Sequence, residues 1–221
     1  SDKDFDYLDS NKKEFVKTVL PIIINENQNI LMIRSFVSEL KGKLETFRTL
    51  NNNEIRKLND IAKKYNIKYQ NKHKLDLVDE ILSNVDVIPN SIVLAQAAIE
   101  SGWGKSRFAK EYNALFGEYT YDDSEGVIPL ERENGDTHLI KAFSSYSNSV
   151  ESYFDNINSH YAYEDFRDIR NIMRKRNNFS NVNLLVNKLS TYAEDENYIK
   201  TIRQVIKTNN FGIFDQKTIS Y

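Results

Sequence analysis

Gln96, Glu100 and Trp103 stand at i, i+4 and i+7 in the stretch LAQAAIESGWGKSRFA, residues 94–109. On an α-helix that spacing puts all three on one face. Ile92, Ala95 and Ile99 fall on the other, where a core would take them. One face is thus apolar, and the other carries an amide, a carboxyl and the only indole of the chain. A carboxyl beside an aromatic ring and half-shielded from water keeps its proton to higher pH. A general acid working near neutrality needs that property. The same spacing also suits a surface or ion-paired glutamate near a helix end.

Other chemistries find little material. The chain has no cysteine, which removes thiol nucleophiles, disulfides and Cys-ligated zinc. His73, His138 and His160 lack metal-ligand spacing, and no metal or cofactor is expected. There is no Ser–His–Asp set with a nucleophile elbow. Gly102-Trp103-Gly104 reads as a turn, because Lys105-Ser106 follows too soon for a phosphate loop. A net charge of −2 argues against nucleic acid or an anionic membrane as partner, and the run Arg174-Lys175-Arg176 reads as a solvated face. No stretch reaches the ~20 apolar residues of a membrane span. The polar opening SDKDFDYLDS shows no signal peptide and suits a processed mature chain as well as a cytosolic one.

The elements that must hold Glu100 are mostly helices, since 221 residues contain only 7 Gly and 3 Pro. Residues 11–47 show helical spacing of apolar residues, which Pro21 should kink or break. Further helices are expected over 53–65 and 74–83. The next starts at Asn90-Ser91, whose short side chains can cap it, and ends at Gly102. A short helix over 105–112 follows. Residues 117–143 carry turn signals around strand-like pieces, and Asn134-Gly135 predicts a hairpin. Helical pattern resumes near Ser147 and continues through 163–176, 182–192 and 196–208. The expected class is mainly α (α+β), with one small β-hairpin inserted between helices.

The string AQAAIESGWGKSRFAKEYNALFG resembles the signature of the peptidoglycan-cutting endo-β-N-acetylglucosaminidases, glycoside hydrolase family 73. The segments GVIPLERENGDTHLIKAF and LSTYAEDENYIKTIRQVIKTNNF narrow the resemblance to the family's Bax-like branch. The resemblance implies a lysozyme-like helical body over 85–221, with a β-hairpin lobe and a glycan groove. An N-terminal helical region, 1–84, would pack on that body. It implies Glu100 as the acid, and it picks out Asn113, Leu115, Phe116 and Gly117 as the family's Asn-x-Leu-Phe-Gly element. The family's second glutamate, set in a Thr-Glu-Tyr-like piece of the hairpin, falls on Glu131, although neither Thr nor Tyr flanks it here. Glu118, Glu125 and Glu133 remain open alternatives. Tyr192 matches the first tyrosine of the family's Tyr-Ala-Thr-Asp-Pro-x-Tyr element, with Tyr198 as its partner and Glu196 where the proline usually stands.

Two routes stay open for the second step. A hairpin carboxylate can activate water, or the substrate's 2-acetamido group can attack, with Tyr192 holding the amide. Trp103, Tyr119, Tyr121, Tyr161 and Tyr163 are candidate sugar platforms, and Gln96 a polar contact. The expected partner is the peptidoglycan glycan strand, met outside the cytoplasm (periplasm or cell surface) by a monomer. A muramidase or lytic transglycosylase on the same fold, or a glycan-binding scaffold without activity, are the alternatives.

Overall fold

The computed structural model describes residues 5–129 and 137–216. Among them lie α1 (Ser10–Glu45), α2 (Asn52–Lys64), α3 (Lys74–Asn84), α4 (Asn90–Ser101), α5 (Arg107–Tyr112), α6 (Tyr146–Ser159), α7 (Glu164–Lys175), α8 (Asn183–Val186) and α9 (Tyr198–Thr208). Three short strands, β1 (Tyr119–Thr120), β2 (Gly126–Val127) and β3 (Leu139–Lys141), sit between α5 and α6. The protein is therefore mainly helical with a small sheet. No described helix is long and apolar enough to cross a membrane.

Two compact units share the chain. The first takes the described parts of 1–26, 89–153 and 201–220, and the second Asn27–Ile88 and Phe154–Lys200. The helices α1, α6 and α9 each give residues to both.

Helix α1 runs unbroken through Pro21, against the expected break. Its buried stripe is Phe15, Val16, Val19, Leu20, Ile23, Asn27, Ile30, Val37 and Leu40, whereas Pro21 is exposed. The missing N–H therefore faces water, where a lost helical bond costs least, and burial of the opposite stripe holds the helix together.

The first unit is centred on α4. Residues 90–98 and Ser101 are all buried, so this is an interior helix rather than an amphipathic one. Neither Asn90 nor Ser91 caps it. Its preceding residue is Pro89, which offers no side-chain cap. The free N–H of Ser91 donates instead to Asp215 Oδ1 at 2.7 Å, and Ser91 Oγ to Oδ2 at 2.7 Å. Asn90 Nδ2 donates to the Phe214 carbonyl at 2.9 Å. The cap thus comes from the C-terminal 3-10 turn Phe211–Phe214 and the residue after it. The three strands are antiparallel in the order β1-β3-β2, with Tyr119 opposite Ile140 and Val127 opposite the same residue. β2 and β3 form the antiparallel hairpin expected, and β1 adds a third strand on β3. The predicted turn Asn134-Gly135 lies outside the described residues.

The second unit packs Leu58, Ala62, Leu77, Val78, Ile81, Phe154, Ile157, Phe166 and Met173 around a buried charge. Asp86 is fully buried and takes Arg174 in a fork, with Nη2 at 2.6 Å and Nε at 2.9 Å. Arg34 Nε lies 3.4 Å from Asp86 Oδ1. Arg170, also fully buried, donates to the carbonyls of Asn84 at 2.7 Å and Asp86 at 3.0 Å, and to Asn158 Oδ1 at 2.7 Å. Burial alone would raise the Asp86 carboxyl. The Arg174 hydrogen bonds and the charges of Arg170 and Arg34 outweigh burial and hold it below the ordinary range. The helix expected over 182–192 shrinks to α8, and 187–197 form turns. Its buried residues, Leu185, Val186 and Leu189, are met by consecutive turns as well as by a helix, so periodicity alone overestimates its length.

Candidate active site

Glu100 occupies the last turn of α4 and is half-buried. The helix stops one residue later because Gly102 turns left-handed at φ 55°, a conformation glycine takes without steric cost. Trp103 also has positive φ, at 58°. The serine between Glu100 and this turn locks it. Ser101 Oγ donates to the Ala97 carbonyl at 2.6 Å and accepts the Gly104 N–H at 2.9 Å. The Ser101 carbonyl accepts from the Ser106 N–H at 3.0 Å.

The other wall of the site is the segment 113–118, which returns from α5 to the sheet. Asn113 is left-handed, at φ 54°, and its Nδ2 donates to the Phe143 carbonyl at 3.0 Å. The Leu115 N–H donates to Ser149 Oγ at 3.1 Å. Phe116 stacks on Tyr153, with ring centroids 4.3 Å apart. Tyr153 in turn donates its hydroxyl to Gln96 Oε1, one helical turn before Glu100. Gly117, at φ +63°, lies directly against the carboxyl: a Cβ there would come within 2.8 Å of Glu100 Oε2. The string Asn113–Gly117 is thus a brace, fastened to Phe143 through Asn113 and to α6 through Leu115 and Phe116, that brings bare backbone up to Glu100.

The next residue, Glu118, extends the brace. Its Oε2 accepts from Ser152 Oγ of α6 at 2.6 Å, while Oε1 is buried and accepts no hydrogen bond from the protein. Burial pushes this carboxyl above the ordinary range, although the Ser152 bond and the charge of Lys141 pull the other way.

The remaining sequence candidates distribute as follows. Gln96 is wholly buried on Tyr153, so it positions the helix rather than offering an amide to solvent. Trp103 leaves the helical face, because α4 has ended. Its ring packs edge-on to Phe15 at 5.6 Å and against Phe211 at 6.0 Å, with Lys12 Nζ 4.8 Å from its centroid. Tyr119 and Tyr121 are exposed on and beside β1, and Tyr119 lies 4.6 Å from the His138 ring. Glu131 and Glu133 lie outside the described residues. Glu125 lies 3.8 Å from Lys141.

The tyrosine candidates of the other element belong to the second unit. Tyr192 stacks nearly parallel on Tyr198, at 5.8 Å and 7°, and leans on Tyr163 at 6.2 Å. Tyr163 and Tyr198 are buried and Tyr192 is half-buried, so Tyr192 is the accessible ring of the three. Tyr161 is 81% exposed and stacks on His160 at 4.4 Å. Sequence reading missed the roles of Ser101, Ser149, Ser152 and Tyr153. The one available signal was Asn113 and Gly117, residue types that tolerate left-handed backbone.

The chain thus sets a half-buried carboxyl at the end of a core helix, faces it with bare backbone and follows it with a small sheet carrying exposed tyrosines. The chain belongs to the glucosaminidase family: the family model described as mannosyl-glycoprotein endo-β-N-acetylglucosaminidase matches residues 75–211. The protein Bax of Escherichia coli K12 is 33% identical over 184 residues, 82% of this chain and 63% of Bax. The peptidoglycan hydrolase FlgJ of the same strain is 35% identical over 92 residues, 37% of this chain and 29% of FlgJ. The chain thus spans under two thirds of the length of either relative. Among solved structures, the catalytic domain of the autolysin Auto from Listeria monocytogenes covers 86% of this chain, and 97% of that domain is matched, at 18% identity and a TM-score of 0.45.

Proposed function

We propose that this chain is an endo-β-N-acetylglucosaminidase of the bacterial cell wall. It hydrolyses the β-1,4 bond of peptidoglycan after N-acetylglucosamine. Glu100 gives its proton to the leaving glycosidic oxygen. A water molecule adds to the anomeric carbon and passes its proton to Glu131, the hairpin carboxylate. Tyr192 positions the substrate or that water. Exposed Tyr119, Tyr121 and Tyr161 offer ring faces to the sugars. The protein acts outside the cytoplasm as a monomer on glycan strands, without cofactor, metal or nucleic acid.

The observation that carries this reading is the Glu100 carboxyl at the end of α4, with its oxygen set against Gly117. Membership of the glucosaminidase family supports the choice of bond, and the likeness to the peptidoglycan hydrolase FlgJ supports the choice of substrate.

Purified peptidoglycan digested by the wild type and by Glu100→Gln tests the reading. The wild type should release fragments with new reducing ends on N-acetylglucosamine by mass spectrometry. Glu100→Gln should lose about 100-fold or more in rate, the scale of a general acid's contribution. Anhydromuramic ends would assign a lytic transglycosylase. Glycan binding with no cleavage by the wild type would assign a scaffold, and full activity in Glu100→Gln would remove Glu100 from the chemistry.

A further inference from the structure

Most of the segment that faces Glu100 is fixed by side chains with ordinary partners. Glu118 is the exception. It spends a carboxyl in a partly buried place where one oxygen meets Ser152 Oγ at 2.6 Å and the other is enclosed with no protein donor. A glutamine, a leucine or a threonine would fill such a position at lower desolvation cost. The chain around it explains what the carboxyl holds. The Glu118 carbonyl accepts the Lys141 N–H at 2.8 Å, and the next residue begins β1, so the backbone is tied to the sheet at this point. On the other side, Gly117 is the backbone that touches the Glu100 carboxyl. The Glu118–Ser152 bond therefore fastens the Gly117 peptide between β3 and α6, just beyond the Leu115–Ser149 and Phe116–Tyr153 contacts.

We propose that Glu118 is a positioning residue that sets the Gly117 backbone against the Glu100 carboxyl through its bond to Ser152. The inference rests on the reading of Glu100 as the proton donor. Glu118 Oε2 accepts the Ser152 hydroxyl while Oε1 stays enclosed. Burial raises this carboxyl, while the Ser152 bond and the charge of Lys141 lower it. Lys141 on β3 is itself 3.8 Å from Glu125.

The test uses the full chain with Glu118→Leu, Glu118→Gln and Ser152→Ala. Glu118→Leu should lower kcat about tenfold with KM changed less than about twofold, as expected for a misplaced acid rather than lost binding. Glu118→Gln, whose amide oxygen can still accept from Ser152, should restore kcat. Ser152→Ala should lower kcat in the same direction by a smaller factor, and it decides the matter if Glu118→Leu fails to fold. A second readout needs no activity: the carbon-13 titration of the Glu100 carboxyl should move in Glu118→Leu and follow the wild type in Glu118→Gln. If the wild type never cleaves glycan, the proposed function fails while this titration still judges the brace. The inference is overturned if Glu118→Gln is as dead as Glu100→Gln, which would make Glu118 an ionised participant. It is equally overturned if Glu118→Leu and Ser152→Ala keep wild-type kcat and an unmoved Glu100 titration.

Discussion

At the scale of the residue, the site depends on a missing side chain. Gly117 combines a left-handed backbone with an approach to Glu100 that leaves no room for a methyl group. Gly117→Ala meets both obstacles together. The left-handed conformation costs an alanine about 1 kcal/mol, and the added carbon would meet Glu100 Oε2 at 2.8 Å. The carboxyl rather than the backbone should give way, because it ends a flexible side chain. Stability should then fall by only about 1–2 kcal/mol, measured by denaturant unfolding, while kcat drops about tenfold or more. A variant that lost stability but kept kcat would show that the acid tolerates displacement.

At the scale of the element, α4 is held at both ends by groups distant in sequence. Asp215 caps its first turn, and burial pushes that carboxyl up to about 6 despite two hydrogen bonds from Ser91. An aspartate in the unfolded chain titrates near 3.8. The folded protein thus binds the extra proton between those values. The contribution is fully present below the unfolded value and is lost as pH rises through about 6, by roughly 2–3 kcal/mol. Urea unfolding of the wild type from pH 4 to pH 7 should show this decline, and Asp215→Asn should flatten it.

Elements were the most legible level of the sequence. The termini expected for α2, α3 and α4 fall within a residue or two of those observed, since α2 and α3 carry periodic apolar faces and α4 stops at a glycine. The misses share one cause. Pro21 is tolerated by exposure, the Ser91 N–H is capped by Asp215 from 124 positions away, and Gly117 owes its type to Glu100. Each depends on a long-range neighbour that local pattern does not reveal. The place of Glu100 at the end of α4 was legible through its motif. The brace that positions it was not, since serines 149 and 152 look like any polar helix residues.

At the scale of the whole molecule, the two units are interleaved along the chain, so a cut between α3 and α4 divides both. A fragment of 85–221 would lack Phe15, Val16, Val19 and Leu20 of the first unit and the α2–α3 core of the second. It should fail to give a cooperative unfolding transition, measured by circular dichroism, and a stable, fully active fragment would contradict this. The buried charge of the second unit makes a sharper test. Asp86→Asn leaves Arg34, Arg170 and Arg174 facing a neutral amide, and should cost about 3–5 kcal/mol. Asp86 itself contributes stability above the ordinary aspartate value and loses it as pH falls through its lowered one.

The left-handed Trp103, wedged between Phe15 and Phe211, also gives the protein an optical reporter. Being the chain's single indole, it alone emits under excitation that spares tyrosine. Its colour should redden when the first turns of α1 peel away and Phe15 leaves the ring. Oligosaccharide bound beside Glu100 should leave the emission unchanged, so one spectrum can separate loosening of the scaffold from binding of glycan.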